Sequence, residues 1–249
     1  MGKRLLFKKK LDWDIKLGFK MDVWGDYACF SRPESKVERF SYPVINPSAA
    51  RGVLDAIYSK NIEFYWQVDR IEILRPVSFI ALKRNEVKDK ISNRSVMSAM
   101  KNGEFSPIIV DATRESSGSD VGGRTQRQTM ALKNVKYRIH ARIVPRTGFY
   151  DRQTALNAQF MRRLESGKCF AQPYFGQREF VAYFSPPGDE LPVSHNQKLG
   201  YMVYDVFNLD KVSTDISSPY ISLFEAEICE GVLEVPPWND SRVKKPDRR

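Results

Sequence analysis

A helix predicted from Ile45 to Lys60 places a guanidinium and a phenol along one edge, where they could act on a bound anion. Arg51 and Tyr58 are seven residues apart, so at about 100° per residue they point within about 20° of each other. An arginine can stabilise negative charge, and a tyrosine can orient a reacting hydroxyl. The plainer alternative is a tyrosine at the margin of the core and an ion pair between Arg51 and Asp55.

The helix that carries this pair is well specified. Asn46 can cap its free amides and Pro47 suits its first turn. The apolar spacing i, i+3, i+4, i+7 predicts a stripe that faces a core: Ala50, Val53, Leu54 and Ile57. The catalytic interpretation of Arg51 and Tyr58 needs a polyanion nearby.

Composition supplies a reason to expect one. The 249 residues carry a net charge of +10 with a pI near 9.5, which favours nucleic acid, an anionic membrane surface or an acidic protein as partner. The 42% hydrophobic content excludes a disordered or collagen-like chain. No apolar run approaches the roughly 20 residues of a membrane span, so we expect a protein without a membrane partner.

Cysteine and histidine usage gives no sign of a metal site. Cys29, Cys169 and Cys229 lie far apart without a CxxC pair, and His140 and His195 are the only histidines. This usage favours a reducing cytoplasm and neither a disulfide framework nor a zinc site. The glycine-containing segments match neither GxxxxGK[ST] nor GxGxxG. We therefore expect no metal and no cofactor.

The segment VKYRIHARIV predicts a strand with one apolar and one basic face. Its apolar residues alternate with four basic ones: Lys136, Arg138, His140 and Arg142. With no acid between them, these residues indicate a track for phosphates. An edge strand that carries positive charge against aggregation would show the same pattern.

The order of elements predicts the fold class. From Ile15 to Phe184 the patterns read as strand, helix, strand, long insertion, strand, helix and strand, which is the split βαβ or ferredoxin-like order. The second helix includes Arg162 and Arg163 near its end at Gly167. We predict an α+β protein in four parts: a ferredoxin-like domain over 1–185, an inserted, partly mobile arm at about 83–134, a small antiparallel β extension over 186–240 and a disordered tail over 241–249.

Four segments together resemble the type I-C (Dvulg) branch of the fifth CRISPR-associated protein family. They are WGDYACFSRPESKVERFSYPVINPSAARGVLDAIYSK, DRIEILRPVSFIALKRNEV, RTQRQTMALKNVKYRIHARI and FMRRLESGKCFAQPYFGQREFVAYF. The resemblance runs from about Met21 to Phe184 and continues more weakly from KLGYMVYDV. It implies a RAMP-type, RNA-binding subunit of the CRISPR effector complex Cascade.

The resemblance also implies partners and an activity. Proteins of this branch grip the 5′ handle of the guide RNA (crRNA) and usually cut the precursor transcript (pre-crRNA) without a metal. The other partners it implies are the backbone and large subunits of type I-C Cascade and, through the complex, target DNA.

The same resemblance assigns a site. The family's catalytic tyrosine falls on Tyr58, and Arg51 is a candidate cation from its spacing. The family's lysine and histidine fall on Ala155 and Leu156, and neither side chain can transfer a proton. Arg152 and Lys168 are the basic residues of that helix that could substitute, although arginine is a poor proton donor.

Candidate RNA contacts come from the basic strand, the second helix and the matched family blocks RNEV and GQRE. They are Arg84, Arg124, Arg127, Lys136, Arg138, His140, Arg142, Arg162, Arg163 and Arg178. An Arg–Glu pair that braces a turn would equally explain RNEV and GQRE, and Gly176 would then permit the turn.

Three hypotheses remain open from the sequence. The first is a pre-crRNA endoribonuclease that stays in Cascade, and the second is an inactive subunit that only holds crRNA. The third, outside the family, is a basic protein that binds duplex DNA without sequence specificity.

Overall fold

The computed structural model describes residues 18–35, 37–87, 92–103, 124–212 and 219–246. Within these stretches the chain forms nine strands and three α-helices. The strands are β1 (Phe19–Ala28), β2 (Arg39–Phe40), β3 (Phe64–Ile73), β4 (Phe79–Val87), β5 (Arg124–Pro145), β6 (Tyr183–Ser185), β7 (Gln197–Asp205), β8 (Ser222–Cys229) and β9 (Val232–Glu234). The helices are α1 (Pro47–Ile57), α2 (Asn93–Asn102) and α3 (Gln153–Ser166). In these stretches no helix is long and apolar enough to span a membrane.

One mostly antiparallel sheet contains all the described strands, and β5 lies at its centre. The strand order is β6-β1-β5-β3-β9-β8-β7, while β2 and β4 pair with the N-terminal half of β5. Only the pairing of β2 with β5 is parallel among these ladders. The connections that contain α1 and α3 each join two strands separated by one strand of the sheet. The protein is therefore of mixed α/β class, as the order of sequence patterns predicted.

The two longer helices pack on one face of the sheet because each has an apolar stripe. In α1 the predicted stripe is buried, and Asn46 Oδ1 accepts the Ala49 N–H at 3.2 Å as the predicted cap. Between the helices and the sheet, the Phe160 ring lies 4.9 Å from that of Phe19 and 4.6 Å from that of Trp66, in T-shaped contacts. This core positions the C-terminal end of α1 beside α3.

The basic face of β5 is neutralised rather than free, contrary to the phosphate track predicted for it. Arg138 is only 8% exposed, and its Nε and Nη2 donate to the two carboxylate oxygens of Asp22 at 2.7 and 3.1 Å. Its other donations reach the backbone oxygens of Gly188 and Glu190 at 2.8 and 2.9 Å. The guanidinium of Arg138 therefore donates its hydrogen bonds to partners within the fold.

The other three bases of this face also have acidic neighbours. The N–O distances are 2.7 Å for Lys136–Glu190, 2.9 Å for His140–Glu72 and 2.8 Å for Arg142–Asp69. Burial lowers the pKa of His140 below its usual value, so its ring is uncharged at neutral pH. The sequence showed no acid on this strand because the acids come from β1, β3 and the loop before β7.

The predicted arm contains two paired strands, β4 and the start of β5, with the helix α2 in the connection between them. β4 pairs with β5 from Phe79↔Leu132 to Val87↔Arg124, so the arm begins a few residues earlier than the 83 predicted. Along β4 no residue is fully buried, which explains its weak hydrophobic pattern. Residues 104–123, which include the polar glycine-rich segment, lie outside the described part.

The C-terminal strands continue the same sheet, because β9 pairs with β3. The prediction of a disordered tail from 241 is wrong for residues 241–246. Val243 is 5% exposed, and the backbone of Lys244 exchanges hydrogen bonds with that of Leu223 at 2.7 and 2.9 Å. A polar composition suggested disorder, but one buried apolar side chain and a backbone pair hold this segment. Residues 247–249 lie outside the described part.

We predict that Asp22→Ala lowers the free energy of unfolding by about 3–5 kcal/mol, because Arg138 would keep a buried charge without its partner. Urea unfolding followed by circular dichroism measures the loss. The control Asp69→Ala removes the partner of Arg142, whose side chain is 43% exposed, and should cost about 1 kcal/mol or less. Equal losses in the two variants would contradict the structural role of Arg138.

Candidate active site

Tyr58 lies where α1 ends and the chain turns towards β3. Its backbone N–H donates to Leu54 O at 2.9 Å, and its carbonyl accepts from Trp66 Nε1 at 2.9 Å. Its ring packs 5.4 Å from that of Phe64, and the residue is 4% exposed. The Tyr58 ring therefore lies at the margin of the core, which is compatible with both the catalytic and the structural interpretation of this residue.

The end of α1 is closed by the segment that follows α3. The backbone N–H groups of Phe170 and Ala171 donate to Ala56 O at 2.7 and 3.0 Å, and Arg163 Nη1 donates to Ile57 O at 3.0 Å. These contacts satisfy carbonyls that a helix end leaves without partners. They also bring the basic end of α3 to Tyr58.

Four charged side chains act on the Tyr58 hydroxyl. The Arg163 guanidinium lies 5.6 Å from the centre of the Tyr58 ring. Glu63 joins two further cations, with Lys60 Nζ at 2.9 Å and Arg152 Nη1 at 3.0 Å. Tyr58, Lys60, Glu63, Arg152 and Arg163 are called the Tyr58 cluster below.

Tyr58 remains protonated at neutral pH in this environment. Burial is the main cause that raises the pKa of Tyr58 above its usual value, and Glu63 adds to it. Lys60, Arg163 and Arg152 act in the opposite direction but do not outweigh burial. The hydroxyl is therefore suited to orient a neighbouring group through a hydrogen bond rather than to act as a base.

Arg51 does not belong to the Tyr58 cluster. Its Nε lies 2.5 Å from Asp205 Oδ2 and its Nη1 2.5 Å from Asp55 Oδ2, while its guanidinium lies 5.5 Å from the centre of the Phe207 ring. Arg51 and Tyr58 point in similar directions from α1, but the rise of the helix separates residues seven apart by about 10 Å along the axis. The predicted pair with Asp55 is present, and Arg51 ties α1 to β7.

The positions predicted for the family's lysine and histidine hold no reacting group. Leu156 lies on the buried face of α3, and Ala155 is exposed. Lys168 is also exposed just after the Gly167 cap, and it is not among the charges that act on Tyr58. Of the two predicted substitutes, the structure brings only Arg152 into the Tyr58 cluster.

The candidate RNA contacts on the arm are partly paired. Arg84 donates to Glu179 and Gln177 and lies 5.5 Å from the centre of the Phe180 ring, so the predicted bracing of a turn is present. Arg127 Nη1 lies 3.4 Å from Glu86 Oε2. The side chain of Arg124 lies outside the described part.

Two predicted RNA contacts, Arg162 and Arg178, and the predicted catalytic substitute Lys168 are exposed and have no acidic partner among the described residues. Arg162 donates only to Gln159 on its own helix. These cations can therefore meet phosphates without first breaking an ion pair.

Sequence reasoning missed Lys60 and Glu63. Lys60 lies two residues after Tyr58, inside the same segment, and that proximity was an available signal. Glu63 gave none, because a single acid in a turn is ordinary. Within the described stretches no three His, Cys, Asp or Glu side chains are grouped so that they could hold a metal ion.

Comparisons with known proteins agree with one another. The model of a family described as CRISPR-associated protein (Cas_Cas5) matches residues 18–235. A protein of Mannheimia succiniciproducens named CRISPR pre-crRNA endoribonuclease Cas5d is 39% identical over 236 residues, which cover 91% of this chain and 98% of that protein. A protein of the same name from Thermus thermophilus is 39% identical over 234 residues, which cover 87% of this chain and 90% of the relative.

A solved structure has a similar fold. The crystal structure of a CRISPR-associated protein superposes with a TM-score of 0.57 at 18% sequence identity, covering 91% of this chain and 95% of the other. At that identity the likeness concerns the fold alone.

Proposed function

Because this chain belongs to the Cas5 family of CRISPR-associated proteins, we propose that it is an endoribonuclease that cuts pre-crRNA and remains on the product as a Cascade subunit. Two relatives that match it over nearly their whole length are named for that cleavage. The observation in this chain that carries the proposal is the Tyr58 cluster, where a phenol stands among three cations.

The proposed reaction is attack of a ribose 2′-hydroxyl on the adjacent phosphate. As the bond from the 2′-oxygen to phosphorus forms, the bond from phosphorus to the 5′-oxygen breaks. The 2′-hydroxyl gives its proton to solvent water, and the leaving 5′-oxygen takes one up. Such a step needs alignment of the nucleophile and stabilisation of the charge that develops on the phosphate. Tyr58, held protonated by burial, would orient the 2′-hydroxyl. Arg163 and Arg152 would stabilise the phosphate, because each guanidinium keeps N–H groups beyond its present single contact.

The proton donor of this mechanism has to come from outside the positions predicted for the family's lysine and histidine. The family's histidine is replaced by the buried Leu156, and arginine does not release its proton at neutral pH. Lys60 is the lysine of the Tyr58 cluster and lies 2.9 Å from Glu63, so we propose it as the donor. An inactive subunit that only holds crRNA is the second candidate, and the loss at Ala155 and Leu156 favours it.

We further propose a ferredoxin-like arrangement for the part of the chain that carries this cluster. The order β6-β1-β5-β3, with α1 and α3 as crossovers, supports it. We propose that exposed cations near the end of α3 and in the turn before β6 grip the 5′ handle, with the backbone and large Cascade subunits as partners and target DNA reached through the complex. Metal independence is proposed because the ribose 2′-hydroxyl is itself the nucleophile, so no metal-bound water has to be generated.

The test of this function is incubation of the purified chain with a repeat RNA in the presence of a chelator. We expect a single cut that leaves a 2′,3′-cyclic phosphate, the product of 2′-hydroxyl attack. Binding without a cut would select the inactive subunit. A preference for duplex DNA over the RNA would contradict the whole proposal.

Tyr58→Phe separates a catalytic hydroxyl from a packed ring. We expect cleavage to fall by about 10²-fold or more, while RNA affinity and melting temperature stay near those of the wild type, because the ring still packs on Phe64. Single-turnover assays and thermal unfolding measure the two effects. A rate equal to that of the wild type would return Tyr58 to a purely structural role.

RNA affinity should fall steeply with salt, because several phosphates must be neutralised. We expect the combined variant Lys168→Ala/Arg178→Ala to lower the slope of log affinity against log salt by about 2. The matched control is Lys136→Ala/Arg142→Ala, which also removes two cations. Because these two lie 2.7 Å from Glu190 and 2.8 Å from Asp69, we expect their removal to change the slope less. Filter binding at several salt concentrations measures both, and equal slopes for the two variants would contradict this assignment.

A further inference from the structure

A cavity of about 390 Å³ opens between the N-terminal half of α1 and the end of β1, far from the C-terminal end of α1 where Tyr58 lies. Its volume falls in the range of about 300–1,000 Å³ that is usual for small-ligand sites. The residues that line it include Cys29, Ser31, Asn46, Gly52, Tyr174 and Gly176.

The wall of this cavity depends on a close backbone approach. Gly176 has a φ of +79°, and a Cβ there would lie 1.9 Å from Cys29 O. The N–H of Cys29 donates to Phe175 O at 3.1 Å, which fixes the turn against the end of β1. Gly176 therefore permits this turn, as the sequence suggested, and thereby shapes the cavity.

The lining combines an aromatic ring with small polar groups. Tyr174 is 42% exposed, and its ring can stack on a flat ligand. Asn46 uses its Oδ1 to cap α1, and its amide nitrogen donates no hydrogen bond to any described residue. The hydroxyl of Ser31 adds a second polar group. One stacking surface with a few hydrogen-bonding groups is how proteins read unpaired bases.

The electrostatic setting favours an anionic ligand. Arg39 and Arg84 lie close enough to Cys29 that their charges act on its thiol. Together with Arg127 they share two carboxylates, those of Glu86 and Glu179. Within this group three guanidinium groups face two carboxylates, which leaves one positive charge in excess on the Cys29 side of the cavity. On the Gly52 side the balance is reversed, because Arg51 faces both Asp55 and Asp205.

We propose that this cavity seats one unpaired nucleotide of the bound RNA, with its base on Tyr174 and its phosphate towards the arginines. The proposal rests on the RNA-binding function proposed above and adds to it a second, non-catalytic site that reads a base. The positive charge on the Cys29 side favours a phosphate there, and the exposed ring of Tyr174 favours a base.

Gly52 gives a test that leaves the fold intact. It lies on α1, and a Cβ built there meets no atom within 4 Å, so a longer side chain enters the open cavity. Replacing a helical glycine also improves helix propensity. Gly52→Ala should therefore keep RNA affinity, whereas Gly52→Gln should weaken it by about tenfold, which is typical of a lost base stack. Neither variant should melt below the wild type.

A scan of repeat RNAs, each lacking one base, shows whether a single base is read. For the wild type we expect one position in an unpaired region where base removal weakens binding by about tenfold. In Gly52→Gln the same removal should cost nothing further. Tyr174→Ala should reproduce the loss, and Tyr201→Ala, which removes another exposed tyrosine on β7, should not.

Three outcomes would overturn the proposal. Wild-type affinity in Gly52→Gln and Tyr174→Ala would show that the cavity does not contact RNA. Normal RNA binding with loss of assembly into the complex would make it a protein-binding site. If the wild type does not bind repeat RNA at all, the proposed function itself is wrong. This outcome is distinguished from failure of the cavity proposal alone, because it is seen without any variant.

Discussion

The buried charge of Arg138 is the constraint on which the sheet depends. It lies on the central strand, where Asp22 of β1 and Glu72 of β3 are its direct neighbours in the two ladders. A shift of either ladder by one residue would move an acid to the face that the helices cover. The ion pair with Asp22 therefore favours one register for β1, and the nearby Glu72 does the same for β3. The placement of both helices follows from those registers.

This neutralisation determines which cations remain for function. The four bases on the predicted basic face of β5, Lys136, Arg138, His140 and Arg142, have acidic neighbours, so this face contributes little free charge. The cations that surround Tyr58 come instead from α3 and from the turn after α1. Charge that stabilises a sheet and charge that binds RNA are thus found on different elements, although both contribute to the same net charge.

Short sequence patterns correctly predicted the features that depend on residues close together in the sequence. The cap and apolar stripe of α1, the end of α3 at Gly167 and the alternation along β5 all follow from short-range spacing, and the structure has each of them. Tyr58 at the end of α1 came from the same spacing and from the family resemblance. Its chemical role stays a prediction.

The remaining features depend on residues that are distant in sequence. Asp22 and Arg138 are separated by 116 positions and Arg51 and Asp205 by 154, so no window of sequence could show that these arginines are paired. The ordered segment at 241–246 has the same explanation, since its hydrogen bonds reach back to Leu223. The composition of a segment reflects only its own residues, whereas its backbone hydrogen bonds depend on the strand that lies beside it in the fold.

The pairing of β9 with β3 has a consequence for the order in which the chain folds. β3 is made early in synthesis, but among the described residues one of its edges pairs with Val232–Glu234, near the other end of the sequence, and also bonds to the backbone of Val193, Gly231 and Val235. Until those residues emerge from the ribosome, that edge presents free N–H and C=O groups to any other nascent strand. A truncated product of this gene would therefore be a partly formed sheet with an adhesive edge, and rapid completion or chaperone cover is the natural protection against its aggregation.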